Sequence, residues 1–106
     1  MNGDARRAAL VEAQRLVDAG DPFAAHEVLE ETWKAVSGDD RDFWRGLTQA
    51  VVALEHARRG NEVGHARLRE RAALTLEPYA GTTREGIDVD ELRSALLSGA
   101  TLPRLA

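Results

Sequence analysis

Glycine and proline divide this chain into segments of helical length, and no other feature of the sequence limits its fold as much. Within the segments, apolar residues recur at steps of three and four, which is typical of helices with one buried face. No segment alternates apolar and polar residues like a strand, and no Asn-Gly or Asp-Gly pair lies between two apolar runs, as it would in a hairpin. The sequence therefore predicts an all-α fold, a compact bundle of about five helices without a sheet.

The ends of these helices follow from residues that cap or break a helix. Asp21 can cap the second helix, and Pro22 fits its first position, where a missing N–H is tolerated. Asp4, Asn61 and Asp88 are the expected caps of the first, fourth and fifth helices. The predicted helices cover roughly residues 4–20, 21–38, 40–59, 61–77 and 88–98, with Asp39 or Asp40 as the cap of the third.

The third helix has the pattern of a central helix. Small residues fall in one narrow sector of its helical wheel: Gly46, Ala50, Ala53 and Ala57. Large apolar residues fill the neighbouring sector: Phe43, Leu47, Val51 and Leu54. A stripe of small residues lets another helix approach closely, while the large ones fill the surrounding space. We predict that helices 2 and 3 form an antiparallel hairpin at the centre of the bundle.

Length, composition and charge exclude several classes of protein. At 106 residues, the chain is long enough for one hydrophobic core and too short for two, so we predict a single domain over residues 1–106. Cysteine is absent, and no apolar run reaches the roughly 18 residues of a membrane span. The first residues lack the apolar stretch of an export signal, so we expect a cytoplasmic protein. A net charge of −4 argues against general binding to nucleic acids.

Helix 2 carries polar residues beside its apolar face. The stretch FAAHEVLEETWK places His26 and Glu30 next to Trp33, at the border of that face, whereas Glu27 lies further towards solvent. Helix 3 offers a matching polar row that includes Arg45, Gln49 and His56. If the two helices form a hairpin, Arg45 can reach Glu30 or Glu27, and Gln49 can bond His26.

These segments resemble the small helical bacterial and archaeal proteins of domain of unknown function family 309. The shared pattern is an aromatic residue, His-Glu-x-Leu-Glu-x-x-Trp, Gly-Leu-x-Gln and a later Arg-Gly-Asn. The matching positions are Phe23, His26, Glu27, Leu29, Glu30, Trp33, Gly46, Leu47, Gln49, Gly60 and Asn61. The resemblance covers roughly residues 5–80, leaving the helix at 88–98 outside it. It implies an all-α fold and implies no activity.

A divalent metal site is one interpretation of the polar residues. His26 and Glu30 are one turn apart, so both can face one ion, and the sequence HEVLE differs from the zinc-protease motif His-Glu-x-x-His only at Glu30. His56 is the best candidate for a third ligand. Gln49 lies seven residues from His56, about 10 Å along a helix, so the two cannot share an ion. Glu27 would then be the candidate base of a metal-dependent hydrolase.

A structural cluster is the alternative interpretation. The same side chains would form hydrogen bonds that fix the register of helices 2 and 3, and no cofactor would be needed. The residues concerned are His26, Glu27, Glu30, Trp33, Arg45, Gln49 and His56. Under this interpretation the protein is a non-catalytic helical module that interacts with a protein partner or with a second copy of itself. The arginines of residues 56–71 spread around their helix, which indicates a solvated surface and not a nucleic-acid site.

Overall fold

Five α-helices and one very short β-hairpin form the fold in the computed structural model, which describes residues 1–106. The helices are α1 (Gly3–Asp18), α2 (Pro22–Ala35), α3 (Arg41–Arg58), α4 (Glu62–Leu76) and α5 (Val89–Ser98). Single 3-10 turns at Gly38–Asp40 and Glu77–Tyr79 precede α3 and follow α4. None of the helices combines the length and the apolar character that crossing a bilayer requires. The predicted all-α architecture is confirmed.

Three of the predicted helix caps are present. The side chains of Asp21, Asn61 and Asp88 accept hydrogen bonds from backbone N–H groups three residues later, at 3.0, 3.0 and 3.1 Å. The cap predicted at Asp4 is wrong, because α1 begins one residue earlier and Asn2 accepts the bond from Ala5 at 2.8 Å. A short polar side chain on either residue fits the sequence pattern, so composition alone does not choose between them.

The prediction of no sheet is wrong at residues 83–88. Strands β1 (Thr83–Arg84) and β2 (Ile87–Asp88) pair antiparallel, with Arg84 opposite Ile87. Glu85 and Gly86 connect them with φ angles of +51° and +75°, as a type I′ turn requires at both central positions. Two residues per strand are too few to show alternation, and glutamate is an uncommon first residue in such a turn.

The side chain of Asp40 does not cap α3. It connects the hairpin to α1 instead. Its carboxylate accepts hydrogen bonds from Arg6 at 3.1 Å and from Arg84 at 2.6 Å. The Arg84 guanidinium also lies 4.7 Å from the centre of the Tyr79 ring. The Tyr79 hydroxyl accepts a bond from the backbone N–H of Phe43 at 3.1 Å and donates one to the carbonyl of Asp39. The 3-10 turn, the hairpin and α1 therefore meet at one polar cluster.

The predicted central position of α3 is confirmed. This helix packs most extensively against α4 and next against α2, and it supplies the fully buried side chains of Trp44 and Leu47. Gly46 has no room for a side chain, because a Cβ added there would lie 2.6 Å from Leu76 Cδ2. At Gly46 the small-residue stripe therefore permits the close approach of Leu76 on α4.

Gly46→Ala should lower the free energy of unfolding by about 1–3 kcal/mol, because the added methyl group overpacks against the fully buried Leu76. This loss should exceed the gain from alanine's better helix propensity, about 1 kcal/mol. The matched control is Gly3→Ala in α1, where nothing lies within 4 Å of an added Cβ. Urea denaturation of the three chains measures the difference, and equal stability of both variants would contradict the close approach of α3 and α4.

Acid should weaken the last turns of α3. The pKa of Glu55 is lowered from its ordinary value of 4.5 to about 2, chiefly because Arg58 donates two hydrogen bonds to it, and Arg59 donates another. The stability from these bonds is therefore fully present above about pH 4.5 and disappears as the pH falls towards 2. Glu55→Gln should flatten this part of the stability curve, measured by urea denaturation across that range. The exposed Glu31→Gln is the control, and parallel curves for wild type and Glu55→Gln would refute the expectation.

Candidate functional site

The polar residues of α2 form a ladder along one edge of that helix. Nε2 of His26 lies 2.9 Å from a carboxylate oxygen of Glu30, whose other oxygen lies 2.9 Å from Nζ of Lys34. Nδ1 of His26 lies 3.2 Å from the carbonyl oxygen of Phe23. His26 and Glu30 are half-buried at the border of the apolar face. Every bonding partner in the ladder therefore belongs to α2 itself.

The ladder favours the ionised form of Glu30. Hydrogen bonds from Lys34 and then from His26 hold the pKa of Glu30 below its usual range. Both ring nitrogens of His26 lie beside oxygen atoms, the carbonyl oxygen of Phe23 and the carboxylate of Glu30. The Phe23 ring lies 5.4 Å from the imidazole and shields one side of it. A metal ion at Nε2 would have to displace the bond to Glu30.

The contacts expected between this ladder and α3 do not form. Nε of Arg45 lies 3.4 Å from the carboxylate of Asp42, one turn earlier on the same helix. The amide oxygen of Gln49 is buried and bonds neither His26 nor any other protein group. The pairings of Arg45 with Glu30 and of Gln49 with His26 were therefore wrong. Side chains one turn apart already face each other, so Glu30 finds Lys34 with less ordering than a partner on another helix would require.

His56 lies in the last turn of α3 and contacts the turn that leads to α4. The side-chain oxygen of Asn61 caps α4 through Gly64, so its amide nitrogen faces His56 and donates to Nδ1 at 3.0 Å. The start of α4 then packs directly on the imidazole, since a Cβ at Gly64 would lie 2.6 Å from Nδ1. His56 is thus a structural part of the turn formed by the Arg-Gly-Asn motif.

The structure does not gather the three residues considered as metal ligands. His26 and Glu30 are paired, but His56 bonds Asn61 in the α3–α4 turn. No group of three or more histidine, aspartate or glutamate side chains is close enough to hold one ion. Glu27 lies on the exposed side of α2, beside a shallow depression that His26 and Lys34 also line.

The two tryptophans pack differently. Trp44 is fully buried in the core, with its indole N–H lacking a hydrogen-bond partner. Trp33 is only partly buried, and the guanidinium of Arg41 lies 5.9 Å from its ring centre. Packing is the main role of Trp44, whereas Trp33 covers the edge of the core beside the polar ladder.

Arg69 bonds the end of α5 from inside the domain, which the sequence did not predict. It is buried, and its guanidinium donates to the carbonyl oxygens of Leu96 at 3.1 Å, Ala95 at 2.6 Å and Ala100 at 2.5 Å. These carbonyls lie at the end of α5, where a cation is favoured by the helix dipole. Burial lowers the pKa of Arg69. Its spacing of three, four and seven residues from Ala72, Ala73 and Leu76 was the available signal for an inward-facing side chain.

Two concave surfaces border α5, and both lie away from the ladder on α2. A groove of about 580 Å³ runs between α4 and α5. A smaller cleft of about 270 Å³ lies among α1, α3, α5 and the last residues of the chain. Of the histidines, only His65 borders either one, as part of the α4–α5 groove.

These features define a class of protein: a five-helix, all-α domain. Its motif residues bond other residues of their own helix or the cap of the next helix. The chain belongs to the family described as Domain of unknown function (DUF309), whose sequence model matches residues 10–68. The resemblance drawn from the motifs of α2 and α3 is thereby confirmed. The family description assigns no activity.

The similar proteins are longer than this chain. An uncharacterised protein of Aquifex aeolicus (strain VF5) is 34% identical over 96 residues, which are 89% of this chain and 28% of that protein. The uncharacterised protein YpuF of Bacillus subtilis (strain 168) is 41% identical over 58 residues, 54% of this chain and 33% of YpuF. The chain therefore spans a third or less of both relatives. No solved structure matches it.

Gly64→Ala should destabilise the protein by about 1–3 kcal/mol, because the methyl group would collide with the ring of His56. The cost should shrink by about 0.5–3 kcal/mol when His56→Ala removes that ring, which a double-mutant cycle in urea measures. Additive costs of the two substitutions would show that the imidazole does not support the start of α4.

Proposed function

We propose that this protein is a non-catalytic helical interaction module, that its docking face is the groove between α4 and α5, and that a second copy of the chain occupies this face. The observation that carries the proposal is a pair of exposed leucines on the two sides of the groove. Leu74 of α4 is 59% exposed, and Leu97 of α5 is 62% exposed. The groove between them has an apolar floor that includes Ala73 and Leu96. Exposed apolar surface in a concave setting is typical of interaction sites.

The face is rigid before any partner binds. Arg69 of α4 holds the last carbonyls of α5, and Arg93 of α5 donates to the carbonyl of Ala73 on α4 at 3.0 Å. These bonds cross between the helices in both directions and fix their separation. A preformed face loses little conformational freedom on binding, which favours association.

The arrangement of charge and apolar surface favours a second copy over an unrelated partner. On α4, Glu70 lies one turn before Leu74, and on α5, Arg93 lies one turn before Leu97. Within one protomer the two helices run antiparallel, so Leu74 lies level with Arg93 and Glu70 lies level with Leu97. A two-fold axis in the plane of the face, running from Leu74 to Leu97, therefore brings each leucine to its own copy and Glu70 to the partner's Arg93. The face is therefore complementary to itself. The charges of Glu70 and Arg93 cancel, so the contact avoids the repulsion expected between chains of net charge −4.

The bonding of the motif residues supports a role without catalysis. His26 and Glu30 use their polar atoms within α2, and His56 uses Nδ1 in the α3–α4 turn. His26 and Glu30 therefore stabilise α2 itself, and His56 supports the start of α4. The length of the two relatives also supports a module, because the matching segment is one part of a larger chain in both.

Sedimentation over a range of protein concentrations tests the proposal, with a dimer expected for the wild type. Leu97→Glu should weaken association by about tenfold or more, because it places an unpaired charge in the apolar centre of the contact. Val63→Glu is the matched control, since Val63 is 63% exposed on α4 but lies outside the groove. Glu70→Arg should weaken the dimer, and adding Arg93→Glu should restore it. A wild-type monomer at every concentration, or equal effects of Leu97→Glu and Val63→Glu, would refute the proposal.

A further inference from the structure

The last residues of the chain cross the surface without joining any helix or sheet. Residues 101–106, here called the tail, have no regular secondary structure. None of their backbone groups bonds another backbone group. Segments held by few bonds of this kind have low local stability and open most readily. The tail is therefore attached to the domain only through contacts that involve side chains.

A buried glutamine forms a hydrogen bond with the backbone of the tail. Gln14 of α1 is 7% exposed, and its amide oxygen accepts a hydrogen bond from the backbone N–H of Leu105 at 2.7 Å. The amide nitrogen of Gln14 donates to Asp18 at 2.8 Å, which fixes the orientation of the group. The side chain of Leu105 is 8% exposed and belongs to the hydrophobic core. One polar and one apolar contact thus locate this residue.

An ion pair also holds the tail, and it requires a positive charge at position 104. The guanidinium of Arg104 lies 3.2 and 3.4 Å from the two carboxylate oxygens of Asp18. Hydrogen bonds from Gln14 and then from Arg104 hold the pKa of Asp18 below its usual range, so the carboxylate is ionised at neutral pH. A segment with a cationic residue directly before a leucine therefore fits this part of the cleft. Gln14 bonds its backbone, Asp18 pairs with the cation, and the apolar pocket takes the leucine.

The tail does not fill the cleft in which it lies. About 270 Å³ remains between the tail and the helices, lined on the helix side by apolar residues such as Val17, Val51 and Leu92. Half-buried Leu102 borders the same space. The cleft can therefore accept a segment with larger apolar side chains than the tail provides.

We infer that the cleft among α1, α3 and α5 is a binding site for an extended peptide, which the tail occupies within the same chain. The partner is an extended segment of another protein with a cationic residue directly before a leucine, like Arg104 and Leu105. Recognition rests on one backbone N–H, one leucine and one cation, as in other sites for short peptides. The tail is then an intramolecular competitor of that partner. This site lies apart from the α4–α5 face and does not depend on dimer formation.

A labelled peptide with the sequence of residues 100–106, ATLPRLA, tests the inference by fluorescence anisotropy with the full chain. The wild type should bind it weakly, because a tethered tail has an effective concentration in the millimolar range. Leu105→Asp and Arg104→Glu should each release the tail, and they leave every helix residue that lines the cleft unchanged. Both variants should bind the peptide at least about tenfold more tightly than the wild type.

Two controls separate recognition from general loosening of the fold. Val63→Asp adds the same charge at an exposed site outside the cleft and should bind like the wild type. A peptide with a methylated amide at the position of Leu105 cannot donate to Gln14 and should lose most of the affinity. Arg104 is largely exposed, so Arg104→Glu gives the answer even if Leu105→Asp does not fold. Folded Arg104→Glu protein without tighter binding, or equal affinity for the methylated peptide, would overturn the inference.

Discussion

The close approach of α3 and α4 at Gly46 is the contact on which the other helices depend. It places α4 against the central helix α3, and Arg69 and Ala73 of α4 in turn bond α5. Helix α3 also packs against α2, and α2 packs against α1. Each helix thus packs mainly on its neighbour in sequence. A residue larger than glycine at position 46 would disturb both the core and the face that α4 and α5 present.

The positions of the helices could be predicted from the sequence because their signals are local. Asp21 with Pro22, Asn61 and Asp88 each satisfy N–H groups only three residues away, so no knowledge of the tertiary structure was needed. The hairpin at Glu85 and Gly86 could not be predicted, because its strands are too short to show a period. It forms where Arg84 meets Asp40, which is 44 residues away. Contacts of this range leave no local pattern.

The candidate site could be predicted only in part for a related reason. The helical wheel located His26 and Glu30 correctly at the border of the apolar face, since burial follows from periodicity. It did not identify their partners, because a wheel gives no distances between helices. It also treated Arg69 as a solvated residue by its charge, although its spacing from Ala72 and Leu76 is that of a buried position. The charge of Arg69 favours a solvent-exposed side chain, whereas its spacing favours a buried one. The carbonyls that compensate the charge belong to a helix 26 residues further on, so the sequence near Arg69 gives no sign of them.

The contact between Gln14 and Leu105 has a consequence for the order in which the molecule is assembled. Helices that pack on their neighbours in sequence can begin to associate while the ribosome is still producing the chain. The bond between Gln14 and Leu105, in contrast, joins residues 91 positions apart. Until the tail has been translated, the cleft beside α1 stands open to any suitable segment in the cell. A chain translated only as far as α5 and one translated through Leu105 would then differ in which partners they can hold.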